Sequence, residues 1–265
     1  MTDIDRPSRR PGPARGAAAA WLAAPAGKAA LLLTAAAALT IALVVAGAQP
    51  VLRLDQALAE RLHAAALQHP GLTHASRIVT DWVVDPWTMR LLLAAAVLGL
   101  WHRRQRLLAW WVACTSAVEW GLRSVLRWAV GRDRPEWERP VDSAEFAAMP
   151  SGHAMTTAAT CVLLLWIAHL THLPAGLVRL GAATAAVAVA CFTRVFLGVH
   201  WLTDTLAGTL LGAALATGSA ATWHAVRLRS SAAYSGSSLA SGDLSQGLPQ
   251  RHPGGYRGST SEADI

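Results

Sequence analysis

The chain has 265 residues, of which 53% are hydrophobic and only 15% charged, and its mean hydropathy is +0.33. That balance excludes an ordinary soluble domain and points to an integral membrane protein. The formal net charge of +7 rests on arginine, since Lys28 is the only lysine; with no basic helix or aromatic-basic stripe outside the apolar segments, it reads as membrane topology and speaks against nucleic acid as a partner.

Residues 1–27 are rich in Arg, Pro, Gly and Ala and show no apolar period, so they are expected to form a disordered basic cytoplasmic arm. A first apolar span follows from Lys28 to about Gln49, close to the roughly 20 residues that a bilayer needs. Ala46-Gly47-Ala48 resembles a signal-peptide cleavage site, but the apolar run exceeds the ~7–15 residues of a usual signal core, and a retained span is expected. Between residues 50 and 85, Leu54, Leu58, Leu62 and Ala66 recur at helical spacing, which predicts an amphipathic helix on the membrane surface or an ordinary loop helix. Asp85-Pro86 is a cap and first-turn pair, and it opens a second span that reaches about Trp101. The basic run from His102 to Arg106 then sets this loop and the amino terminus on the cytoplasmic side.

A third span, about Leu107 to Trp128, carries Glu119, Arg123 and Arg127 at four-residue steps, on one helical face that must look into the bundle or a wet cavity. Glu119 and Arg123 read as a structural ion pair. The helix should end near Gly131, and Arg132 to Met149 forms an outer loop. A fourth span starts at Pro150-Ser151-Gly152-His153 and runs to about Leu170, a fifth covers about Leu180 to Phe196, and a sixth runs from about Trp201 to Val226. Residues 227–265, rich in Ser, Gly and Pro, are expected to be a disordered cytoplasmic tail. The expected fold is therefore an all-α polytopic membrane bundle of about six transmembrane helices over residues 28–226. Trp82, Trp87, Trp101, Trp128 and Trp201 near the span ends suit an interfacial belt. Cys114, Cys161 and Cys191 sit in apolar runs without metal-ligand spacing and are expected to be small buried hydrophobes.

The chemistry gathers at the outer span ends. Ser151 and the amides of Ser151 and Gly152 would cap the fourth span, where free N–H groups and the positive dipole end attract an anion. Gly152 lets a ligand approach the backbone closely, and His153 stands beside it as a general acid. Arg127, Arg134 and Arg194 present planar forks that match phosphate oxygens. His200 and Asp204 lie one helical turn apart, so the carboxylate can hold one ring nitrogen and leave the other as a nucleophile. In-line attack on phosphorus, with His153 protonating the leaving oxygen, would give a phosphohistidine that water then hydrolyses. No metal ligand set or other cofactor is expected. His63, His69, His74, His102, His169, His172, His224 and His252 lack such company and receive no role.

Arg127-(six residues)-Arg134-Pro135, Pro150-Ser151-Gly152-His153 and Thr193-Arg194-(five residues)-His200-(three residues)-Asp204 resemble the signature motifs of the type 2 phosphatidic acid phosphatase superfamily, which also includes vanadium haloperoxidases. The first motif commonly opens with lysine and the third with serine, where this chain has Arg127 and Thr193. The resemblance implies a helical bundle, metal-independent hydrolysis of phosphoesters or diphosphates, and a membrane lipid phosphate as substrate. It implies the same roles: His200 as nucleophile, Asp204 orienting it, His153 as acid, and Arg127, Arg134, Ser151, Gly152 and Arg194 as phosphate ligands. The expected setting is the cell membrane, with both termini cytoplasmic and the site on the outer face. A lipid phosphotransferase of the same fold is one alternative. A non-enzymatic transporter or scaffold is the other, against which stands the lack of internal repeats and of broken mid-span helices.

Overall fold

The computed structural model describes residues 21–22, 24–173 and 176–245, and their regular structure is helical throughout. The basic stretch 1–20 and the segment 246–265 lie outside the described residues, as does Pro174. The chain divides into two units, Met1–Ala225 and Val226–Ile265; the architecture below is that of the first.

Helix α1 spans Pro25–Val45, α2 Gln49–Gln68 and α3 Pro70–Ile78; a π-helical turn over Val79–Val83 leads to α4, Pro86–His102. Helix α5 is Arg106–Val130, α6 Gly152–Leu170, α7 Leu177–Phe196 and α8 Leu202–Ser245. Proline opens α1, α2, α3 and α4 in the first turn, where the missing N–H costs nothing. Asp85 caps α4 as expected, accepting from the amides of Trp87 and Thr88 at 2.6 and 3.3 Å. Helix α5 ends on Gly131 in the left-handed conformation, φ 57°. Helix α8 extends past Val226, the expected end of the sixth span.

Among the described residues, four stretches are long and apolar enough to cross a bilayer: Pro25–Val45, Pro70–His102, Gly152–Leu170 and Leu177–Phe196. Helix α5 has the length, at 25 residues, but carries Arg106, Glu119, Arg123 and Arg127. Helix α6 is the centre of the packing: 61% of its apolar stretch is buried, against 17–22% in the other three. Helix α8 comes close against it. A side chain at Gly208 would collide with the backbone of Ser151 and Met155, and one at Gly212 with that of Met155 and Ala159. Small residues at four-residue steps, continued by the fully buried Ala216, thus let two backbones touch, the usual route to helix association where no hydrophobic drive exists. The core continues through Leu93, Val112, Leu163, Trp166 and Trp223. Between α5 and α8, Ser219 bridges Trp111 Nε1 at 2.8 Å and the Thr115 hydroxyl at 2.7 Å.

Helix α2 falls where a helix was expected; Leu54 is 57% exposed, and its buried positions are Asp55, Ala59, His63 and Ala66. Charge pairing, described below, rotates that face inward. The ring of His63 stacks on Trp137 at 4.1 Å. Glu119 pairs with Arg90 of α4 at 3.5 Å and accepts from Thr156 at 3.1 Å instead of pairing with Arg123. Of the cysteines, Cys114 is exposed, while Cys161 and Cys191 are half-buried. Trp82, Trp87 and Trp128 are exposed, as span-end residues should be.

Candidate active site

His200 lies in the turn between α7 and α8 and is 1% exposed. Its Nδ1 is 3.3 Å from Oδ2 of Asp204, one turn into α8, and the same oxygen accepts the Trp201 amide at 2.9 Å. Its Nε2 is 3.2 Å from Nη1 of Arg134. A guanidinium can only donate, so Nε2 presents a lone pair and the ring hydrogen sits on Nδ1, facing the carboxylate. The tautomer needed for attack through Nε2 is therefore fixed by its two neighbours. Burial, followed by the charges of Arg134, Arg194 and Arg127, holds His200 well below the ordinary imidazole range. Neutral at neutral pH, the ring keeps its lone pair.

Arg134 is anchored by the carbonyls of Phe146 and Val199. Burial and then Arg194 push its pKa down to about 10, which leaves it charged near neutrality. Arg132, two residues earlier, does different work: Nη1 bonds Asp204 Oδ1 at 2.6 Å and the Thr203 hydroxyl at 2.7 Å, and Nη2 bonds Asp55 Oδ2 at 2.7 Å. Asp55 also accepts the Thr203 amide at 3.0 Å and its hydroxyl. One half-buried guanidinium thus joins α2, the loop between α5 and α6 and the start of α8, and it holds the carboxylate that holds His200. Sequence reading missed Asp55 and Arg132. Arg132 was visible between Arg127 and Arg134, and Asp55 shared a helical face with Ala59 and His63.

The Pro150-to-His153 turn is stitched to the same frame. Arg127 Nε bonds the Pro150 carbonyl at 3.2 Å, and the Ser151 amide bonds the Asp204 carbonyl at 3.0 Å. Ser151 occupies the N-cap position of α6, but its side chain makes no cap hydrogen bond. Its hydroxyl is buried without a partner, as is Nε of Arg194. Arg194 Nη1 contacts Asp142 of the outer loop at 3.4 Å. A Cβ at Gly152 would stand 2.5 Å from Arg123 Nη1 and 2.8 Å from Arg127 Nη2, so a side chain there would displace these two guanidinium groups. His153 Nε2 lies 3.9 Å from Oδ1 of Asp85, which gives the α4 cap a second contact.

Arg127, Arg134, Gly152, His153, Arg194 and His200 line one cavity of about 260 Å³. Of the other two residues anticipated from the sequence, Asp204 bonds His200 and Ser151 bonds the Asp204 carbonyl through its amide. Thr193 does not face the cavity; its hydroxyl donates to Thr80 at 3.2 Å. Among the described residues no group of three or more His, Cys, Asp or Glu side chains could hold a metal ion. Chemically, the cavity offers an anion several cationic donors and a buried imidazole whose basic nitrogen is held by Arg134.

An all-helical, multi-pass membrane bundle with an arginine-walled cavity around a buried His-Asp pair is the class that fold and site define. Residues 107–228 match the family model of the PAP2 superfamily, which bears out the resemblance carried by the three motifs. A solved structure described as the crystal structure of the first transmembrane PAP2 type phosphatidylglycerolphosphate phosphatase from Bacillus subtilis shares the fold, with a TM-score of 0.63 and 22% identity, covering 71% of this chain and 92% of that one. No curated protein matches this chain.

Proposed function

We propose that this chain is an integral membrane lipid phosphatase that hydrolyses a lipid phosphate monoester or diphosphate through a phosphohistidine intermediate, without a metal. The observation that carries this reading is the meeting of His200, held by Asp204, with Arg127, Arg134, His153 and Arg194 in one cavity, next to the unpartnered Ser151 hydroxyl. Phosphate oxygens satisfy these donors, including the buried Ser151 and Arg194 atoms that otherwise go unpaired. His200 Nε2 attacks phosphorus and forms the N–P bond as the bond to the leaving oxygen breaks. His153 gives that oxygen its proton, then takes one from water when the phosphohistidine is hydrolysed. The arginines stabilise the charge on the equatorial oxygens as the bonds exchange.

The reading includes six spans over residues 28–226, both termini in the cytoplasm and the site at the outer membrane surface, on the strength of the basic loop between α4 and α5 and the odd-even alternation of the helices that carry the site. The PAP2 match and the fold shared with a phosphatase support the enzyme class.

Phosphate release from the detergent-solubilised protein in EDTA tests it, with polyprenyl diphosphate, phosphatidylglycerol phosphate and phosphatidic acid as substrates. Turnover that disappears in His200→Ala is the expected result. No release by a folded protein, with acceptor alcohols absent or present, would refute the enzyme reading.

A further inference from the structure

Five arginines line the cavity of His200: Arg90, Arg123, Arg127, Arg134 and Arg194. The reading above uses three of them. Arg90, on α4, has Glu119 as a partner at 3.5 Å, while Arg123, only 8% exposed, makes no hydrogen bond or ion pair among the described residues. Glu119 can neutralise one of the two cations. The other is left at membrane depth, where an unpaired charge is costly and marks a ligand path.

The position of Arg123 says which part of a ligand it would meet. Its Nη1 and Arg127 Nη2 press together on Gly152, so the two guanidinium groups are neighbours on one wall. A second cavity of about 470 Å³ shares Trp120, Arg123, Arg127 and Phe146 with the first and continues to Trp128. Its outer end lies among side chains that meet lipid: Trp120 is 58% and Trp128 86% exposed. Trp87, stacked under Arg90 at 5.7 Å, is exposed on the same side. Arg134 thus meets His200 directly, Arg127 and Arg123 meet at Gly152, and from these two the second cavity runs on to the exposed rings of Trp120 and Trp128.

We infer that Arg123 and Arg90 form a second anion subsite, which holds a second phosphate on the leaving-group side of the scissile bond, and that substrates carrying such a phosphate are preferred to lipid monophosphates. This rests on the lipid phosphatase reading for the chemistry, but not for the binding. With a lipid diphosphate, the bond broken joins the terminal phosphorus to the bridging oxygen. The leaving lipid phosphate keeps the second phosphate and takes the proton from His153, and water returns the terminal group as inorganic phosphate. Arg123 and Arg90 then bear on the charge that accumulates on the leaving group.

Binding separates the two readings. Intrinsic tryptophan fluorescence, with Trp87 and Trp120 on the cavity walls, reads the affinity of farnesyl phosphonate and of farnesyl methylene-bisphosphonate, neither of which can be hydrolysed at the scissile position. Wild type is expected to prefer the bisphosphonate at least tenfold. Arg123→Gln is expected to erase most of that ratio, and Arg123→Lys to restore part of it, which a misfolded protein would not do. A wild type that binds both alike, or a glutamine variant that weakens both by one factor, overturns the subsite whether or not the enzyme turns over. A preserved preference without turnover of any lipid leaves the subsite standing and refutes hydrolysis. The kcat/KM ratios for polyprenyl diphosphate and for phosphatidylglycerol phosphate, each over phosphatidic acid, identify the source: loss of the first ratio alone in Arg123→Gln assigns a directly joined diphosphate, and loss of both assigns any second phosphate.

Discussion

Arg134 donates to Nε2 of His200 across 3.2 Å while Asp204 accepts from Nδ1 at 3.3 Å, so the imidazole is held between a cation and an anion in a single tautomer. Asp204→Asn removes the charge that stabilises the imidazole as its Nε2 bonds to phosphorus. A fall in kcat of about 10²–10⁴-fold is expected, with the helical circular dichroism unchanged. A variant within threefold of wild type would remove Asp204 from the mechanism.

A general acid matters only when the leaving oxygen needs a proton. His153→Ala should therefore slow hydrolysis of an alkyl phosphate far more than that of p-nitrophenyl phosphate, whose leaving group departs unaided, by a ratio of about 10²-fold. Equal slowing of both would assign His153 to phosphate binding instead.

The bridge from Asp55 through Arg132 to Asp204 is deeply buried, with both carboxylates 1% exposed or less. Arg132→Gln leaves two carboxylates without their cation and should cost about 3–5 kcal/mol, read as a large drop in thermal stability in detergent. Adding Asp55→Asn should return part of that loss, because one stranded charge disappears. Strict additivity of the two changes would show that the residues do not act through each other.

Acid pH offers a separate handle. His200 is held well below its usual 6.5 by burial, so between that lowered value and 6.5 the unfolded chain binds a proton that the folded chain refuses. The stability is fully present above pH 6.5 and declines below it, with a slope from this group of up to about 1.4 kcal/mol per pH unit. The difference in Tm between pH 7 and pH 5 should shrink in His200→Asn; an unchanged difference would mean that His200 titrates normally.

Where α6 and α8 touch, there is no room for a side chain. Gly212→Leu must part the backbones of the two helices, at a cost of about 1–3 kcal/mol or more. It should also lower activity, since Ser151 and Asp204 ride on those helices. An active, equally stable leucine variant would contradict the packing.

The helices and the pairing of candidate residues could be read because their signals are local or carried by fixed spacing: apolar runs of bilayer length, Asp85-Pro86 as a cap, Gly131 as a stop, His200 one turn before Asp204. What escaped was contact between distant segments. Asp55 meets Thr203 148 residues away, and the face it shares with Ala59 and His63 names no partner. Glu119 offered Arg123 at the helical spacing of an ion pair, but Arg90 on the adjoining helix competes for it, and periodicity within one helix cannot weigh a partner on another. The Ser151 hydroxyl sits at a cap position by sequence, and only the fold shows that the cap bond is not made.

Helix α6 brings His153 to the site and is, of the four apolar stretches, the one that lipid touches least. Helix α7, which brings Arg194 and leads to His200, is largely lipid-facing. Bilayer thickness acts on helices through their exposed apolar length, by tilting or shifting them. A thicker or thinner membrane would therefore press on α7 far more than on α6, and the quantity it would strain is the register between His200 and His153. Under the proposed function, the surrounding lipid is in that sense a mechanical component of the site.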